Sequence, residues 1–356
     1  MVNVNKILEK YGMNCPAEEY GDGHINDTYL IEYNGEKYIL QRINHNIFKN
    51  PHEVMENILG VTKHISDKLV SKGEDPKRRT LTVINTLDNK PCCEVDGNYF
   101  RMYNFISDTV TYQTVERPVL FYKAAKGFGE FFNLLSDYDA SKLHESIPDF
   151  HNTQKRFCDF ENSVKTNKSG RAELVEKEIQ FLMDRKHEVS RIMDEIKKGT
   201  VPLRVTHNDT KLNNILFDKI TDDALCVIDL DTVMPGSVLF DYGDALRFGT
   251  NPVAEDEKDL SKVYCDIEKF EQFTKGFIES LGNILTEKEI ELLPFSAQLL
   301  TLECGMRFLA DYIDGDIYFK THYEEQNLDR ARTQLKLVYD MELKEEEMVK
   351  IIKKYI

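Results

Sequence analysis

Residues 204–218, RVTHNDTKLNNILFD, set a histidine, two aspartates and three asparagines between apolar runs. Farther on, ALCVIDLDTVMPG (224–236) carries an apolar run into Asp229, with Asp231 two residues later. Carboxylates and amides in this order suit phosphoryl transfer, which asks little covalent chemistry of a protein. One carboxylate orients the attacking hydroxyl and accepts its proton, and oxygen ligands hold Mg2+ across the phosphates. Asp209 is the candidate base, and Asn214 and Asp229 are the candidate metal ligands. Strand alternation would put Asp229 and Asp231 on one side if the extended conformation continues.

The spacing adds weight to this reading. Protein kinases carry H-R-D-L-x-x-x-N, and here the run is His207-Asn208-Asp209-Thr210-Lys211-Leu212-Asn213-Asn214, with the same five-residue step from Asp to Asn. Asn/Asp clusters ordinarily make turns, so the loop alone decides nothing. His207 reads as a brace, and Asp241 and Asp244 of GSVLFDYGDALR as capping or bracing residues.

Two elements of the kinase pattern are altered. Gln41 in YILQR stands where a strand lysine would hold phosphates, and a glutamine carries no charge to neutralise them. Lys211 is then a candidate replacement, or an ordinary solvated loop lysine. The phosphate-covering turn is Gly21-Asp22-Gly23-His24-Ile25-Asn26-Asp27-Thr28 rather than G-x-G-x-x-G. Its Gly and Asn residues allow backbone N–H groups to face an anion, making Gly23, His24, Ile25 and Asn26 nucleotide-binding candidates. Asn104 and Phe105 are the candidates for meeting adenine.

The elements that must position these residues fall into two groups. TYLIEYNGEKYILQRI (28–43) predicts a hairpin turning at Asn34-Gly35. LTVINTL (81–87) and NYFRMYNFI (98–106) predict further strands, with CCEVDG between them and a turn at Asp96-Gly97. HEVMENILGVTKHISDKLV (52–70) has apolar residues at helical spacing. After Ile106 the chain predicts helices over 124–138, 172–199, 267–282, 291–313 and 334–356. Phe128, Phe131, Phe132 and Leu135 form a core stripe. The expectation is an α+β protein: a small antiparallel sheet with one long helix (1–106, nucleotide-binding) and a large, mostly helical lobe (107–356, catalytic) meeting at a cleft.

These blocks, with CGMRFLADY (304–312) and NLDRARTQLKLV (327–338), resemble aminoglycoside phosphotransferase/choline kinase-like enzymes across nearly the whole chain. The resemblance implies a protein-kinase-like two-lobe fold, ATP as phosphoryl donor, Mg2+ as cofactor, Asp209 as base, and Asn214 and Asp229 as metal ligands. Within that group the blocks are similar to N-acetylhexosamine 1-kinases. This implies phosphorylation of the anomeric C1 hydroxyl of GlcNAc or GalNAc to the sugar 1-phosphate. Arg307, Asp231 and Tyr318 are the sugar-binding candidates, although Arg307 could instead pair with Glu303 or Asp311 along its helix. The alternatives are a kinase for another small alcohol (aminoglycoside, choline, homoserine or methylthioribose) and a non-catalytic nucleotide-binding scaffold.

Composition narrows the partners. A net charge of −16 argues against nucleic acid and anionic membranes, and leaves a cationic substrate open. Seven cysteines without CxxC spacing indicate neither a disulfide framework nor a zinc site. No apolar run is long enough to span a bilayer and the N-terminus lacks a signal-peptide core, so a cytoplasmic location is expected.

Overall fold

The computed structural model describes residues 3–21, 26–281 and 284–356. A short helix, α1 (Val4–Lys10), precedes strands β1 (Ala17–Glu19), β2 (Asp27–Tyr33) and β3 (Glu36–Ile43). Asn34 and Gly35 join β2 to β3 with φ of 53° and 81°. Positive φ at both positions gives a turn whose twist matches the strands, which is why Asn-Gly marks it. Helix α2 (Pro51–Ser71) follows, burying Val54, Ile58, Val61, Ile65 and Leu69. Then come β4 (Val83–Ile84), β5 (Cys92–Val95) and β6 (Asn98–Asn104). The antiparallel sheet runs β1-β2-β3-β6-β4, with β5 also on β6. The linker expected at CCEVDG is thus itself a strand, with Asp96 and Gly97 turning it into β6 at φ of 50° and 75°.

After β6 the chain leaves this sheet. Strand β7 (Thr109–Val110) pairs with β9, not with its predecessors. Helices α3 (Pro118–Leu134), α4 (Thr153–Thr166), α5 (Glu176–Asp184) and α6 (Arg191–Lys198) lead to β8 (Arg204–Thr206), β9 (Ile215–Asp218), β10 (Ala224–Val227) and β11 (Met234–Gly236). The remainder is α7 (Val238–Gly249), α8 (Ile267–Leu281), α9 (Glu287–Asp314), α10 (Gln326–Leu343) and α11 (Glu345–Tyr355). No helix among the described residues is long and apolar enough to cross a membrane.

Two helices expected to be continuous are broken. The 172–199 run divides into α5 and α6, and the 334–356 run into α10 and α11. In the first break the Thr153 hydroxyl donates to the Val189 carbonyl, a bond periodicity cannot reveal. The core is shared rather than split: α2 joins one apolar cluster with α3, α7, α8 and α9. Gly243 on α7 lies against the Ser296 carbonyl of α9, where any Cβ would collide. That close approach fixes the glycine of DYGD and seats α7 beneath the HNDTKLNN loop.

Candidate active site

The strands flanking the HNDTKLNN loop do not grip it by pairing with each other. β8 pairs with β11, and β9 pairs with β10 and β7. The loop therefore hangs between two small sheets, and its shape comes from side chains. Asn208 has φ of 65°, a left-handed conformation for a non-glycine residue. Asp241, at the first turn of α7, accepts the backbone N–H of His207 at 2.9 Å and of Asn208 at 2.6 Å. Thr210 donates its hydroxyl to the Asp241 carbonyl. The brace expected of Asp241 is thus a double one. Asp241 is fully buried, and burial pushes its pKa up to about 7 against the two N–H donors. Asp241→Asn offers an NH2 to one of those donors, so it should cost about 1–3 kcal/mol. Urea unfolding measures this; an unchanged midpoint would refute the brace.

His207 is the second brace. Its Nε2–H donates to the Ile228 carbonyl at 2.9 Å, and its Nδ1 accepts the Asp209 N–H at 3.3 Å. These contacts define a neutral ring, and burial lowers its pKa in the same sense. Phe128 and Phe131 pack against it, so the predicted apolar stripe is core.

On this scaffold Asp209 faces the cleft. Lys211 Nζ lies 2.7 Å from its Oδ1, and Asn214 Nδ2 donates to its Oδ2 at 3.0 Å and to its carbonyl at 2.8 Å. Burial raises the Asp209 pKa, but Lys211, His207 and Asn214 together hold the carboxyl below its ordinary value. An unprotonated carboxylate is the consequence. Asn214 spends its NH2 on Asp209, which leaves its Oδ1 to face a cation.

Asp229 lies two residues past β10 with φ and ψ both 58°, and a 3-10 turn, Leu230–Thr232, follows. The extended conformation therefore stops at Asp229, and Asp231 does not alternate onto its side as expected. Asp231 is buried: its Oδ1 meets Arg101 in an ion pair, and its Oδ2 accepts from Asn26 at 2.6 Å. No described residue donates a hydrogen bond to the Asp229 carboxylate, which opens to the cleft. Asp229 is exposed to the cleft, yet the protein around it withdraws part of its solvation, and Asp231 and Asp209 add negative potential, so its pKa is pushed up to about 7. The donor set, a hard carboxylate and an amide oxygen, fits Mg2+. Among the described residues no group of three His, Cys, Asp or Glu could hold a metal. The remaining ligands would therefore be phosphate oxygens and water.

The cleft has a volume of about 520 Å³ and is lined by Asn26, Gln41, Arg101, Asp209, Asn214 and Asp229, among others. Gln41 on β3 is paired across the sheet with Arg101 on β6. Its Oε1 accepts from Arg101 Nε and Nη2 at 3.1 and 3.0 Å. The cation that position 41 lacks is thus present one strand over, and a lysine at 41 would oppose it. Arg42 faces the other way, to Asp27 and Asn98. Asn104 and Phe105 line the same cleft, but their N–H groups are already bonded to the Thr82 and Lys37 carbonyls. Gly23, His24 and Ile25 lie outside the described residues.

Arg307 and Tyr318 lie together elsewhere, with the guanidinium 6.0 Å from the Tyr318 ring and 5.5 Å from that of Phe319. The alternative pairing with Glu303 or Asp311 does not occur. Asp311 accepts the N–H groups of 317–319, and Glu303 faces His151. No described residue accepts a hydrogen bond from Arg307. Sequence reasoning missed Arg101 and His151. The signal for Arg101 was a lone charge in the apolar strand YFRMYNF; His151, in a loop, left none.

A family model described as the phosphotransferase enzyme family matches residues 16–273. The fold resembles a microcompartment-associated aminopropanol kinase, 16% identical with a TM-score of 0.60, covering 97% of this chain and 98% of that one. It also resembles an aminoglycoside phosphotransferase from Alicyclobacillus acidocaldarius, 11% identical with a TM-score of 0.64, covering 99% and 96%. A third likeness is to spectinomycin phosphotransferase in complex with ADP and spectinomycin, 14% identical with a TM-score of 0.56, covering 95% of each chain. At these identities the likeness is one of fold.

Proposed function

Because this chain belongs to the phosphotransferase enzyme family, we propose that it is an ATP- and Mg2+-dependent kinase that phosphorylates the anomeric hydroxyl of N-acetylhexosamines. The observation that carries the kinase reading is the convergence of Asp209, Asn214 and the unpartnered Asp229 carboxylate on one cleft. In our reading residues 1–106 hold the nucleotide, and 107–356 supply the base, the metal ligands and the acceptor site. ADP bound to the spectinomycin relative supports a nucleotide in the cleft.

The acceptor hydroxyl hydrogen-bonds to Asp209, its proton passes to that carboxylate, and its oxygen attacks the γ-phosphorus. The bond from phosphorus to the bridging oxygen of ADP breaks, so the sugar C1–O bond stays intact and anomeric configuration is retained. An anomeric hydroxyl is more acidic than an ordinary alcohol, which suits an aspartate with a low pKa. Asn214 and Asp229 would hold Mg2+, which would supply positive charge to offset that of the phosphates. Arg101 and Lys211 supply positive charge around that end of the cleft, which Gln41 cannot.

The sugar assignment rests on the sequence blocks and on Arg307, a guanidinium with no protein acceptor beside Tyr318. Arg156 lies near enough that burial, then the charge of Arg307, lowers its pKa. Two guanidinium groups suit sugar hydroxyls and carbonyls better than an ammonium. A second reading is a kinase for an amino alcohol or aminoglycoside, favoured by the acidic chain and by the acceptors of its structural relatives. ATP consumption against a panel of alcohols separates the two. N-acetylglucosamine and N-acetylgalactosamine should exceed aminopropanol, choline and aminoglycosides by at least about 100-fold in kcat/KM, a scale expected where polar groups are built to be bonded. The reverse order would establish the second reading.

A further inference from the structure

Beneath the catalytic loop sits a histidine that the phosphoryl-transfer scheme does not use. His151 precedes α4 and is buried. Its Nδ1 lies 3.1 Å from Glu303 Oε1 on α9, and its Nε2 lies 3.2 Å from the backbone carbonyl of Asn208. A carbonyl only accepts, and a carboxylate only accepts, so a ring that satisfies both must donate from both nitrogens. That is the imidazolium. A neutral ring would need Glu303 to carry the proton instead.

The surroundings favour charge on the ring. Glu303 on α9 and Asp241 and Asp244 on α7 are all buried acids facing this region. Arg247 is the cation of that helix, but it is engaged by Asp244 and Glu255. Glu303 Oε2 has no hydrogen-bond partner, so His151 is the one donor to that carboxylate among the described residues. The rings of Phe150 and Phe240 close the remaining sides. Burial opposes protonation of His151, but Glu303, Asp244 and the Asn208 carbonyl together place the pKa above the ordinary histidine value.

The partner on the other side of the ring matters for chemistry. Asn208 directly precedes Asp209 and holds a left-handed φ. Its N–H is fixed by Asp241, its side chain donates to the Thr232 carbonyl at 2.9 Å, and its carbonyl meets His151. Three separate segments thus pin one strained residue, and among the described residues only His151 reaches its carbonyl. We propose that His151 is an imidazolium that positions the base: Glu303 orients the ring, the ring fixes the Asn208 carbonyl, and that peptide sets the direction of Asp209.

This inference rests on Asp209 being the base, but its primary test requires no turnover. Nitrogen NMR of the full-length protein, with the His151 signals identified by their loss in His151→Phe, should show both ring nitrogens protonated at pH 7. A neutral His151 ring at pH 7 overturns the proposal whatever the substrate proves to be. With whichever alcohol the protein phosphorylates, His151→Phe should lower kcat by about 10–100-fold, as small misplacements do, and leave KM for ATP within about threefold. Glu303→Gln should bring the alkaline limb of the kcat profile down by about one pH unit or more, because the carboxylate that raises the His151 pKa is gone. A structural filler would not move that limb, so an unchanged limb also overturns the proposal. If His151→Phe does not fold, His151→Gln supplies the assignment and the same kinetics.

Discussion

Asp209→Asn lowers kcat by about 10²–10⁴-fold, the range that a positioned general base contributes, while ATP binds nearly as it does to the wild type. The substitution is close to isosteric and keeps the carbonyl that accepts from Asn214 Nδ2. It removes two things: the carboxylate that takes the hydroxyl proton, and the partner of Lys211 Nζ. Lys211 is about one-third exposed, so losing that ion pair costs little stability, and a large kcat effect cannot be charged to unfolding. The remaining loop braces, Asp241, His207 and Thr232, are untouched. Steady-state kinetics with a binding titration for ATP separate the two quantities. Undiminished kcat in Asp209→Asn would falsify the assignment of the base.

The second large effect belongs to Asp229. Its carboxylate has no donor among the described residues, and desolvation, with Asp231 and Asp209 nearby, pushes its pKa up to about 7. A cation there stabilises transition-state charge by several kcal/mol, so Asp229→Asn should lower turnover on the order of 10²–10⁴-fold at ordinary Mg2+. The sign of the pH dependence follows. Below pH 7 a proton occupies the carboxyl and competes with the metal, so the Mg2+ concentration for half-maximal activity should rise about tenfold per pH unit; above pH 7 it should level off. Asp229→Asn should flatten that dependence. Folding follows the same linkage: a carboxyl raised from near 4 to about 7 favours the folded state most below 4, and that contribution is lost as pH rises through 7. Mg2+ with nucleotide should therefore raise the thermal midpoint more at pH 8 than at pH 6. A wild-type Mg2+ requirement independent of pH from 6 to 8 would show that Asp229 is not the ligand.

The parts of this molecule legible from sequence are those whose signals are local. Asn34-Gly35 announces its hairpin because two consecutive positive φ values demand those residues. The apolar spacing of 54, 58, 61, 65 and 69 marks α2. Asp209, Asn214 and Asp229 stand out because loop spacing and a strand end are both written in consecutive residues. What was not legible depends on partners far away in the chain. The break between α5 and α6 involves a hydroxyl 36 residues earlier. Asp231 reads as a neighbour of Asp229, yet Arg101, 130 residues away, draws it into a buried pair. His151 meets Glu303 across 152 residues, and neither carries a motif.

If Asp209 directs phosphoryl transfer from ATP to an anomeric hydroxyl, phosphorus NMR of the product reveals it. Wild-type protein incubated with ATP, Mg2+ and N-acetylglucosamine should give a sugar 1-phosphate whose phosphorus couples to the anomeric proton, and Asp209→Asn should give almost none. A 6-phosphate, or the same 1-phosphate formed as fast by Asp209→Asn, would contradict the account.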